Sequence, residues 1–158
     1  MNIFLSAPQR SAREVRFNET LADSLRAFGQ VHLPKLDCSP GRGLQRQVRE
    51  RFQSRNLEFQ SICESIRESD LVVAVLNIRD VDQAVAFELG MAFTLSVPCV
   101  ALTQELGHRV SAQNVFAVEE CLTGLFRTER ALLKWVREYS SPILSFGYGQ
   151  RAQLHALK

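Results

Sequence analysis

Leu71 to Leu102 reads LVVAVLNIRDVDQAVAFELGMAFTLSVPCVAL, and its character changes three times. LVVAVL, Leu71 to Leu76, is an unbroken apolar run rich in β-branched residues, the pattern of a strand covered on both faces, as in a parallel sheet. Asn77 to Asp82 is a polar loop, and Ala84 to Leu95 has the length of a helix. Pro98 to Leu102 is again short, apolar and strand-like. Strand, helix and strand in this order form a crossover unit, which is right-handed when the two strands lie parallel in one sheet.

Working outward, the same alternation continues. Asn2 to Ser6 (NIFLS) reads as a buried first strand leading into Ala7-Pro8. Ser11 with Glu14 has capping-box spacing, and Val15, Leu21, Ala22, Leu25 and Phe28 follow at roughly helical intervals until Gly29 offers a stop, so a helix is predicted over Ala12 to Phe28. Val31 to Pro34 reads as a short second strand, and Val48, Phe52, Phe59, Ile62 and Ile66 stripe a second helix. Asn114 to Val118 reads as a fifth strand and Thr128 to Tyr139 as a final amphipathic helix. The expectation is an α/β chain: one doubly wound, Rossmann- or flavodoxin-like domain over 1–140, with a mostly parallel sheet of about five strands, flanking helices and a tail over 141–158. Ligands of such sheets bind beyond the carboxyl ends of the strands, which singles out Ala7 to Arg13, Asn77 to Glu88 and Thr103 to Asn114.

Composition narrows the partners. The chain has 158 residues, 46% hydrophobic and 23% charged, an ordinary globular balance for one domain. Nineteen basic against 17 acidic residues leave +2, too weak a field to argue for a nucleic-acid polymer or an anionic membrane. The run Arg42, Arg46, Arg49, Arg51 and Arg55 is interleaved with Glu50 and Glu58 and reads as a solvated helix face. Cys38, Cys63, Cys99 and Cys121 form no C-x-x-C pair, so they read as reduced thiols, and the three histidines show no metal or triad spacing. No leader or membrane span is read, and a cytoplasmic setting is the expectation. No Walker-type or G-x-G-x-x-G loop occurs, so no cofactor and no metal are expected.

The residue that asks for an explanation is Glu88, set among Ala84, Val85, Ala86, Phe87, Leu89, Met91, Ala92 and Phe93. An ionised carboxylate in apolar surroundings needs a partner, a cavity or a raised pKa. It then suits a nucleophile or general acid. Emergence on the solvent side of the helix is the competing reading. Asp80 and Asp82 sit at the strand exit, where either also suits a helix N-cap.

In its order of parts the sequence resembles the nucleoside 2-deoxyribosyltransferase family: the strand and loop IFLSAP, a helix ending in IRESDLVVAVL, an aspartate, then AFELGMAF and a proline-containing strand. The resemblance runs from Asn2 to Leu102, with a weaker correspondence at Asn114. It implies that Glu88 attacks C1′ of a 2′-deoxyribonucleoside, giving a covalent glycosyl-enzyme that a second base intercepts, or water in its place. It implies that Asp82 contacts the sugar hydroxyls, that Asn114 reaches a neighbouring subunit's site, and that the protein is a homo-oligomer. A retaining cleavage of this kind needs such a carboxylate beneath the sugar.

Two positions depart from the family pattern. Where the family carries an aspartate that contacts and helps protonate the leaving base, this chain has Ile62, and where it commonly has a tyrosine in the first strand, this chain has Phe4. These substitutions in the substrate-binding set motivate a competing reading, a catalytically weakened protein that binds a nucleoside or nucleotide. The loop SAPQRSAR, Ser6 to Arg13, is similar to that of the related 2′-deoxynucleoside 5′-phosphate N-hydrolases. That likeness implies a 5′-phosphate held by hydroxyl, backbone amide and arginine groups of the loop that carries Ser6, Ala7, Pro8 and Arg10, with Arg10 matching a basic residue of that loop and Arg13 near it. Against it stand a solvated face made by Arg10, Arg13 and Arg16, and Asp82, whose negative charge beside the sugar suits a free hydroxyl better than a phosphate.

Overall fold

The computed structural model describes residues 1–34, 46–77, 80–103 and 116–141, with backbone alone for 46–55 and 116–117. Five parallel strands form one sheet: β1 (Asn2–Ser6), β2 (Gln30–His32), β3 (Leu71–Leu76), β4 (Cys99–Thr103) and β5 (Gly124–Phe126), in the order β2-β1-β3-β4-β5. The helices are α1 (Ala12–Leu25), α2 (Arg46–Arg67), α3 (Gln83–Thr94), α4 (Phe116–Glu119) and α5 (Glu129–Tyr139). This is the doubly wound α/β architecture, and β1 and β3 meet where the strand order reverses.

The pleat sends alternate residues of each strand to opposite faces. Ile3, Leu5, Val73 and Val100 pack with Leu21 and Leu25 of α1 and Leu132 and Val136 of α5. Phe4, Val72, Ala74 and Ala101 pack on the other face with Ile66 of α2 and Val85, Leu89 and Ala92 of α3. All six residues of β3 and all five of β4 are buried, which is why both read as continuous apolar runs.

Several boundaries move for identifiable reasons. Strand β2 begins at Gln30, paired with Asn2, and ends at His32; Pro34 has no N–H to extend a ladder. Helix α1 carries the Ser11–Glu14 capping box and stops at Leu25, where the Arg26 amide donates to the Ala22 carbonyl. Asp82 is the N-cap of α3. The fifth strand is misplaced by the sequence pattern: Asn114 and Val115 lie outside the described residues, Phe116–Glu119 is a helical turn, and β5 is Gly124–Phe126, paired with Val100 to Leu102. Short apolar runs do not separate a helical turn from a strand. Residues 142–158 of the tail also lie outside the described residues.

Helix α3 closes with Ser96 at φ 59°, its amide donating to Phe93 and that of Val97 to Ala92, the two bonds of a Schellman cap. Ser96→Gly removes a left-handed penalty of about 1–2 kcal/mol against an entropy cost of about 0.5–1 kcal/mol. The expected outcome is a gain of roughly 0.5 kcal/mol, read as a higher urea midpoint at unchanged slope.

Candidate active site

The carboxyl ends of β1 and β3 are linked to the functional residues by two short loops. The β1 exit carries Ala7 to Arg10, and the β3 exit leads to Asp80 and Asp82, from which α3 sets out. A cleft of about 110 Å³ opens between them, lined by Ala7, Pro8, Gln9, Arg10, Pro34, Asp82, Ala84, Val85 and Glu88. Glu88 thus faces a cavity, and it is 8% exposed. It lies on α3 six residues beyond the N-cap, on the side that also turns Val85, Leu89 and Ala92 inward.

Burial governs its chemistry. The Glu88 carboxyl is pushed up from 4.5 to about 7 because desolvation disfavours the charged form and the Asp82 charge adds repulsion. The Ser6 hydroxyl opposes both by donating to Glu88 Oε2 at 2.5 Å. The result is a carboxyl close to half-ionised at neutral pH, the poise of a group that exchanges charge during a reaction.

Asp82 is tied down from two sides. Its Oδ1 accepts from the Ala84 amide at 2.9 Å and the Val85 amide at 3.4 Å, and its Oδ2 faces Arg10 Nε at 3.4 Å. Each carboxylate oxygen has two lone pairs, so Oδ2 retains capacity for a hydroxyl donor. Arg10 also meets Asp80 Oδ2 through Nη1 at 2.6 Å, and these carboxylates raise the guanidinium pKa. Gln9 donates to the Pro34 carbonyl, bracing the lip of the cleft against the segment after β2.

The structure therefore brings Glu88, Asp82, Ala7, Pro8 and Arg10 to one cleft, with Ser6 beneath it on Glu88. Two others stand apart from the lining. Phe4 is fully buried and stacks on His32 with ring centroids 5.5 Å apart, and Ile62 packs against the α3-side core. Asn114 lies outside the described residues. Arg13 lines a second cavity, of about 400 Å³, with the N-cap Ser11, Glu14, Phe17 and Asn18 of α1 and the end of β3, and this cavity shares Pro8 with the cleft. Gln9, Pro34, Ala84 and Val85 were not predicted as site residues. Gln9 sits inside the quoted loop, whereas nothing in the local pattern links Pro34 to it. Among the described residues no group of three or more His, Cys, Asp or Glu is placed to hold a metal ion, and no helix is long and apolar enough to cross a membrane.

A family model described as nucleoside 2-deoxyribosyltransferase matches residues 3–123, and the chain belongs to that family, whose members are enzymes acting on nucleosides. No curated protein matches it. Among solved structures it is similar to a conserved protein from Enterococcus faecalis V583, with TM-score 0.63, 19% identity and coverage of 87% of this chain and 98% of that one. A 2-deoxyribosyltransferase from Bacillus psychrosaccharolyticus superposes with TM-score 0.65 at 18% identity, covering 84% and 90%. A CMP N-glycosidase from Clostridium botulinum gives 0.52 at 16%, covering 87% and 99%. At these identities the likeness establishes the fold.

Proposed function

We propose that the protein cleaves the N-glycosidic bond of a 2′-deoxyribonucleoside and transfers the deoxyribosyl group to another nucleobase, with Glu88 as nucleophile. The observation that carries this reading is the buried Glu88 carboxyl on the wall of the cleft, raised to about 7 and held by Ser6. At about 110 Å³ the cleft is far smaller than the roughly 300 Å³ at which sites for drug-sized ligands begin, so it takes one ring, the sugar, over the carboxylate. Asp82 Oδ2 accepts a sugar hydroxyl.

In the first step a Glu88 oxygen bonds to C1′ as the C1′–N bond breaks and its electron pair leaves with the base, which is protonated. In the second, a nitrogen of the incoming base bonds to C1′, its N–H proton is lost to solvent, and the carboxylate is released. With Ile62 partly buried and packed against the core, the family's proton donor to the base is replaced by an aliphatic side chain. Protonation by solvent then favours bases that leave easily.

Membership of the family and the apolar surface of α2 and α3 support a homo-oligomer. Phe59 of α2 and Phe87 of α3 meet in a tilted pair with centroids 5.5 Å apart while each remains about half exposed, and Phe93, also on α3, is 54% exposed. Light scattering reads the assembly directly.

The test of the reaction is chromatography of 2′-deoxynucleosides and their 5′-monophosphates incubated with the protein, with and without added adenine. New deoxynucleosides that require adenine support transfer. Free base from monophosphates alone replaces it by hydrolysis of nucleotides, the second reading, for which Arg10 at the cleft is the supporting observation. Ligand binding without product would favour the weakened binding protein.

Because the ionised carboxylate is the attacking form, kcat/KM should rise with pH to a plateau above about 7. Ser6→Ala removes the one interaction that lowers this value. The rising limb should therefore move to higher pH, while the plateau changes less than the rate at pH 6. An unmoved limb would mean that Ser6 does not tune Glu88.

A further inference from the structure

We infer that Asp80 sets the substrate class of this site: it cancels Arg10, so that the cleft selects a deoxynucleoside with a free 5′-hydroxyl over its 5′-monophosphate. This rests on the reading of the cleft as the sugar site. Arg10 is the one cation among the described residues lining it. A guanidinium recognises phosphate by turning its N–H groups to the anion as a fork. Here all three nitrogens are turned to the 80–82 segment. Nη1 meets Asp80 Oδ2 at 2.6 Å, Nη2 meets the Asp80 carbonyl at 3.4 Å, and Nε faces Asp82 Oδ2 at 3.4 Å. The fork is occupied by protein oxygens before any ligand arrives.

The ion pair alone does not decide the matter. The Arg10 and Asp80 side chains are 48% and 68% exposed, and such pairs are weak, so a dianion can pull Arg10 away from Asp80. What it cannot remove is the displaced charge. Asp80 stays close, its amide donating to the Asn77 carbonyl at 3.1 Å, and Asp82 is held by its cap on α3. A phosphate on Arg10 then lies beside two carboxylates, with ionised Glu88 as a third, and among the described residues lining the cleft or paired with Arg10 one positive charge faces three negative ones. Arg13 is not among the residues that line this cleft; it lines the adjoining cavity along α1, which shares Pro8 with it. A 5′-hydroxyl meets no repulsion and can donate to a carboxylate. One carboxylate against a dianion several ångströms away in a wet site is worth about tenfold in affinity, and less in salt.

The test measures kcat/KM for wild type, Asp80→Asn and the double variant Asp80→Asn/Arg10→Gln, on the common deoxynucleosides and their 5′-monophosphates, at low and high salt. Wild type should favour the nucleosides. Asp80→Asn should shift the ratio about tenfold toward the monophosphates, mostly through KM, and the shift should shrink in salt. The double variant should lose that gain, because Arg10 is the group the phosphate uses. A wild-type preference for monophosphates, or an unchanged ratio in Asp80→Asn, overturns the inference and leaves the Glu88 chemistry standing. If neither class is turned over, the reading of the reaction falls. The same ratio is then taken from dissociation constants measured by calorimetry, and binding of neither class overturns both.

Discussion

Glu88→Gln is expected to lose deoxyribosyl transfer by at least roughly 10³-fold while keeping the fold, because the amide preserves the shape of the side chain and lacks the nucleophilic oxygen. The amide can still accept from the Ser6 hydroxyl, now 2.5 Å from the carboxylate, so the β1–α3 contact has a partner in the variant. The loss should appear in kcat and kcat/KM alike, as it does when an interaction confined to the transition state is removed. Matching circular dichroism spectra with wild type would show that folding is intact. A variant within tenfold of wild type would end the assignment of Glu88 as nucleophile.

The same substitution has a second large consequence, on stability. The Glu88 carboxyl sits at about 7 in the folded protein against 4.5 as its ordinary value, so between these values the folded state binds more protons than the unfolded one. Stability from this group is then fully present below about 4.5 and is lost as pH rises through about 7. At 1.36 kcal/mol per pH unit the loss is at most roughly 3 kcal/mol. Urea denaturation of wild type at pH 5 and pH 8 should show most of it, and Glu88→Gln should flatten that part of the profile. At pH 8 the inactive variant should be the more stable protein. This is the cost of holding a carboxylate where the proposed chemistry requires it, in an apolar wall beside Asp82. Equal pH dependence in the two proteins would show that Glu88 is solvated far better than its 8% exposure implies.

What was legible in the sequence follows from how far the signals extend along the chain. The β3–α3–β4 unit was readable almost to the residue, because a strand covered on both faces leaves a continuous apolar run and a helix leaves its cap. Asp82 and the Ser11–Glu14 box are such caps, closed within three residues. The sheet edges were harder. β5 has three residues, all only partly buried, and its place is set by pairing with β4 rather than by its own pattern.

The site divides in the same way. Glu88 stood out because one carboxylate in an apolar helix is a local anomaly. Its contact with Ser6, 82 residues away, and the Arg10 contacts with Asp80 and Asp82 are made by the topology that brings the β1 and β3 exits together. The sequence placed Arg10 on the loop with Arg13 near it, and the two line adjoining cavities that share Pro8. Phe4 and Ile62 occupy positions where the family resemblance implied polar groups; Phe4 is buried in the α3-side core and Ile62 packs against it.

The most direct measurement is intact-protein mass spectrometry of wild type and Glu88→Gln, quenched in acid during incubation with a deoxynucleoside and without acceptor base, followed by peptide mapping. The account predicts wild-type protein heavier by one deoxyribosyl group, mapped to the peptide containing Glu88 and lost when acceptor base is added, with no adduct on the variant. Turnover with no adduct at any quench time, or an adduct on another residue that persists in Glu88→Gln, would contradict it.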